Sequence, residues 1–99
     1  MNNFFIVILG EEDTLNRAKQ IERLGALGQV QKLITNTYGL ICEEEHEYNS
    51  IRDAISGEER YITIVIQLVA KTKCGWCLEK DKSDYLTETY EKLYMENNE

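Results

Sequence analysis

The sequence predicts one small α+β domain of strand–helix–strand–strand–helix–strand order, with a charged extension and a further helix after it. Three observations carry that reading. Phe4 to Leu9 is an unbroken β-branched and aromatic run, and Tyr61 to Leu68 alternates strictly. Between them, two segments with apolar residues at helical spacing bracket a hairpin signal. Ninety-nine residues suit a single domain, and an apolar content of 42% supplies one core.

Taken in order, Phe4 to Leu9 is apolar on both faces, as a strand covered on both sides would be, and Gly10 ends it. Asp13 or Thr14 can cap the first helix, whose apolar stripe reads Leu15, Ala18, Ile21 and Leu24; Gly25 and Gly28 stop it. Gln29 to Ile34 and Tyr38 to Cys42 are short strands joined by Thr35-Asn36-Thr37, with Gly39 marking a weak point or bulge. The acidic stretch Glu43 to Glu47 leads into a second helix that turns Tyr48, Ile51, Ala54 and Ile55 to one face, and Gly57 closes it.

In the last strand Ile62, Ile64, Ile66 and Leu68 share one face, and Tyr61, Thr63, Val65 and Gln67 the other. Beyond it, Lys71 to Lys82 is charged, and Ser83 or Asp84 caps a final helix that presents Leu86, Tyr90 and Leu93. The order is the split βαβ motif of a ferredoxin-like βαββαβ sandwich. Residues 1–70 form its core, and residues 71–99 are an extension and helix within the same domain. Right-handed crossovers are expected to set the first and third strands side by side and parallel, with both helices on one sheet face.

Composition excludes several classes. Eleven basic against eighteen acidic residues give a net charge of −7, which repels phosphate backbones and argues against nucleic acid as a partner. The run Phe4 to Leu9 is too short for a signal sequence or a membrane span. Three cysteines are too few for a disulfide framework, so the chain reads as cytoplasmic with reduced thiols.

The two-faced first strand has a consequence. With helices on one face, Phe5, Val7, Leu9, Tyr61 and Val65 are expected to line the other, and something must cover them. The C-terminal segment can fold back, or a second copy can pack sheet to sheet as a twofold dimer. The homodimer is the preferred expectation.

Several short motifs carry a resemblance. Asn3-Phe4-Phe5-Ile6, Thr37-Tyr38, Ile51-Arg52-Asp53 and a final strand followed by Trp76 are together similar to the SinR-like branch of the CRISPR-associated adaptation-protein superfamily, which also includes VapD-like toxins. The resemblance covers about residues 3–78 and implies a ferredoxin-like homodimer in a host-defence, toxin–antitoxin or phage setting. Its nuclease members hold a divalent metal with an aspartate at the end of the first strand. Leu9 stands at that place here, with Glu11, Glu12 and Asp13 just beyond.

Two constellations could carry chemistry. Parallel first and third strands would bring Glu11, Glu12 and Asp13 together with Glu43, Glu44, Glu45 and His46 as one acidic rim, suited to a hard cation or to a partner with a basic surface. Acids at helix N-termini also occur simply as a solvated edge. Cys74-Gly-Trp-Cys77 could grip zinc with Cys42 and His46 completing a tetrahedral set; as ordinary reduced thiols around a packing Trp76, the same residues need no cofactor. The leading expectation is a non-enzymatic, homodimeric protein-interaction module with no cofactor. A metal-dependent nuclease and a small zinc-binding module are the alternatives.

Overall fold

The structure, a computed structural model, describes residues 2–43, 46–72 and 75–95. Among them the elements run β1 (Asn2–Leu9), α1 (Thr14–Leu27), β2 (Gln29–Ile34), β3 (Thr37–Glu43), α2 (Tyr48–Ser56), β4 (Thr63–Leu68) and α3 (Lys80–Tyr90), which continues as a π-helical turn at Glu91–Met95. The strands make one antiparallel sheet in the order β2-β3-β1-β4.

The direction of β3 corrects the sequence expectation. Asn2 lies opposite Glu43 and Ile8 opposite Thr37, so β1 and β3 are antiparallel. The cause is the tight turn at Thr35–Asn36. A chain that reverses there enters β3 against β2, and β2 already runs the same way as β1. Asn36 takes the left-handed backbone (φ 64°) that such a turn needs. Gly39 is not a bulge, because it pairs in register with Ile6 and Gln31; the irregularity falls in β2, between Lys32 and Ile34.

α1 begins where expected. The Asp13 carboxylate accepts the Asn16 backbone N–H at 2.8 Å, meeting one of the donors that a helix start leaves free. At its far end Gly28 lies so close to β3 that a Cβ would collide with the Ile41 carbonyl oxygen. The face that α1 buries differs from the predicted stripe. Leu15, Ala18 and Ile21 point to solvent, while Arg17, Gln20, Leu24 and Leu27 turn inward. In α2, Ile51 and Ile55 are buried, and Tyr48 and Ala54 are exposed.

Each sheet face has its own core. Under α1 and α2 lie Phe5, Val7, Leu9, Tyr38, Leu40 and Cys42, packed with Leu24, Ile51 and Ile55. The residues expected on an open face are therefore covered: Phe5 and Val7 are fully buried, Leu9 and Tyr61 nearly so, and Val65 packs against the same cluster. Side chains alternate along a strand, so assigning the helices to the wrong face moves every residue at once.

The opposite face holds Phe4, Leu33 and Leu68, and the C-terminal segment folds back over them with Leu86, Trp76, Leu78 and Tyr85. Three tyrosines fasten it. Tyr85 meets Phe4 edge to face, with ring centroids 6.1 Å apart. The Tyr90 hydroxyl donates to the Val69 carbonyl at 2.9 Å, and the Phe4 N–H donates to the Tyr94 hydroxyl at 3.0 Å. Burial pushes the Tyr85 and Tyr94 phenols up, so the neutral form is the one the fold holds.

Gly39 admits Tyr85: a Cβ there would fall 3.0 Å from a ring carbon. Gly39→Val is therefore expected to lift α3 from the sheet. It should cost about 1–3 kcal/mol, as overpacked sites do, and shift the emission of Trp76, the only tryptophan, to the red. Unchanged emission and an unchanged urea midpoint would contradict this docking.

Candidate functional site

The C-terminal segment covers only part of its face. Register sets Ile66 beside Ile6 and Ile64 beside Ile8, all on the side away from α1 and α2. α3 reaches the Phe4–Leu68 end and leaves the rest bare, so Ile62 is 69% exposed and Ile64 53%. Ile66 and Ile34 are also exposed. Beside them, an apolar cleft of about 240 Å³ opens between sheet and tail, lined by Ile6, Leu33, Ile34, Ile66, Leu68 and Trp76 among others. In a chain with 29% charged residues, this is the surface most suited to bind apolar side chains. The alternation that identifies β4 also carries these isoleucines; their exposure follows only once the helices are placed on the correct face.

The acidic rim divides. Because β3 opposes β1, Glu11, Glu12 and Asp13 follow one end of β1, whereas Glu43 sits beside Asn2 at the other. Glu44 and Glu45 lie outside the described residues. Asp13 is engaged as the α1 cap, and His46 donates its backbone N–H to the Glu43 carbonyl at 3.1 Å.

The cysteine set is described only in part. Cys42 and His46 border one cleft near Gly28, with Cys42 buried beneath the helices. Cys77 is exposed between Trp76 and Leu78, which pack on the other sheet face, and Cys74 lies outside the described residues. Among the described residues, no group of three His, Cys, Asp or Glu side chains is arranged to hold a metal ion.

A polar seam that sequence reasoning missed runs under the start of α1. Arg17 donates through Nη2 to the Gly10 carbonyl at 2.6 Å and to Asn36 Oδ1 at 2.8 Å, tying the β1–α1 loop to the hairpin turn. Its Nη1, and both polar atoms of the fully buried Gln20, have no hydrogen-bond partner among the described residues. Nearby, Tyr61 donates to Asn16 Oδ1 at 2.8 Å, and the Arg23 guanidinium lies 5.5 Å from the Tyr61 ring centre. Arg23 also pairs with Glu59 at 2.9 Å. That hydrogen bond holds the Glu59 carboxyl below its ordinary range, but both side chains meet solvent and the pair adds little stability. The seam is structural in character: its contacts tie α1 to the β1–α1 loop, the hairpin turn and the segment that leads into β4.

Comparison with family models, curated proteins and solved structures finds no match for this chain. Among the described residues, no helix is long and apolar enough to cross a membrane.

Proposed function

We propose that the chain is a homodimeric protein-interaction module, cytoplasmic and without catalytic chemistry of its own. The observation that supports it is the bare isoleucine face of β4 beside the Trp76 cleft, where exposed apolar side chains lie side by side. The strand–helix–hairpin–helix–strand order supports reading the domain as a ferredoxin-like sandwich with an added C-terminal helix. Kinship with the SinR-like and VapD-related proteins, and through them a host-defence, toxin–antitoxin or phage setting, rests on the short motifs alone. Two acidic ends in place of one rim leave a partner with a basic surface as the electrostatic complement.

The nuclease and zinc readings have less behind them. Leu9, at the place of the superfamily's metal-binding aspartate, is buried opposite Thr63. Cys42 is buried in the core under α1 and α2, whereas Cys77 is exposed between Trp76 and Leu78, which pack on the other sheet face. Light scattering at micromolar concentration is expected to give twice the chain mass, and the mass of a single chain would overturn the homodimer.

A further inference from the structure

We infer that β4 is the dimer seam: two copies join their β4 edges antiparallel about a twofold axis at Val65, making one continuous eight-stranded sheet. This rests on the homodimer proposed above and specifies where it forms.

The Gly10 N–H donates to the Ile62 carbonyl at 2.9 Å, so Ile62 turns its carbonyl toward β1. The β1–β4 register is unbroken, so Ile64, Ile66 and Leu68 turn inward too, and the alternate residues turn their N–H and C=O outward.

At both ends of β4 those outward groups are met. The Tyr61 N–H donates to the Ser56 carbonyl and its C=O accepts from the Thr63 hydroxyl. The Val69 N–H donates to Thr72 Oγ1, and its carbonyl accepts from the Thr72 N–H and the Tyr90 hydroxyl. Between these capped ends, the outward main-chain groups of Thr63, Val65 and Gln67 find no partner among the described residues. That open window is symmetric about Val65. A second copy in antiparallel register sets Thr63 against Gln67 and Val65 against Val65, and every open group is met.

Side chains and charge favour the same occupant. No charged residue lies between Tyr61 and Ala70, so the paired strands themselves oppose no like charges; Arg52, Asp53 and Arg60 border the edge beside Thr63, where both signs are present. Ile64 of each copy comes opposite Ile66 of the other, and the two bare stripes merge. The other sheet edge is guarded differently: β2 carries Lys32 and the irregularity between Lys32 and Ile34, devices that discourage edge pairing. With one open edge, assembly closes at two copies and does not grow into a filament.

Two variants test this in the full chain. Ile64 and Ile66 are exposed, so Ile64→Lys with Ile66→Lys is expected to remain folded by circular dichroism while the dissociation constant rises at least about tenfold, because like charges then face each other. Ile64→Cys with Ile66→Cys is expected to give an oxidised covalent dimer. The two positions would meet as a non-hydrogen-bonded pair, where side chains approach closest. Each single cysteine variant is expected to stay uncrosslinked, which controls for the exposed Cys77. A wild-type protein that is dimeric, but keeps its dimer with both lysines and fails to crosslink, would overturn the β4 seam and leave the homodimer standing. A monomeric wild type, including one that pairs only with a foreign strand, would overturn both.

Discussion

Ending the chain after Lys82 is expected to abolish cooperative folding. The cut removes Leu86, which is 3% exposed in the second core, together with Tyr85, Tyr90 and Tyr94. Phe4, Leu33 and Leu68 then face water, and the Phe4 N–H loses the Tyr94 hydroxyl. The single change Leu86→Ala is expected to cost about 2–5 kcal/mol, as large-to-small changes in a packed core do. Small domains hold only about 5–15 kcal/mol in all, so losing the whole segment exceeds what the rest can supply. Urea unfolding followed by circular dichroism measures both variants. A truncated chain that melts like the full one would mean that the tail is a docking arm independent of the core.

Gln20→Leu is expected to act in the opposite direction and stabilise the protein by about 1–3 kcal/mol, the penalty of a buried polar group without a hydrogen bond. The side chain is fully buried on the inner face of α1, and neither its amide nitrogen nor its oxygen has a partner among the described residues. Leucine suits a helix and keeps nearly the same volume. The gain should appear as a higher urea midpoint with the slope unchanged. A lower midpoint would overturn the reading of Gln20 as a buried polar group that lacks a hydrogen bond.

These two sites mark where sequence reading succeeds and where it stops. Local chemistry announced the elements: the Phe4–Leu9 run, the Asp13 cap, the turn at Asn36 and the alternation of β4 all lie where expected. What failed was the relation between elements. Helical spacing picked out Leu15, Ala18 and Ile21, but spacing does not say which side of a helix meets the sheet. The inner face is the one that carries Leu24 and Leu27, with Arg17 on the same side reaching across to Gly10 and Asn36. In the same way, alternation sorted β1 and β4 into two faces without saying which lay beneath α1 and α2. The acidic rim depended on strand direction, which one hairpin reversal inverts. The isoleucine face was thus visible as a pattern and invisible as a surface. The open edge of β4 could not be read from residues at all, since it depends on which backbone groups Ser56, Thr72 and Tyr90 already occupy.

The bond between Phe4 and Tyr94 joins residues ninety positions apart. Nearly the whole chain must be gathered before that loop can close, whereas the β2–β3 hairpin and α1 need only neighbours. The Phe4–Tyr94 contact is therefore expected to form late in folding, and until it does part of the second core around Phe4 is open to other chains. In that interval a refolding molecule is prone to stick to others like it, and the yield on refolding should fall with protein concentration even where the finished fold is stable.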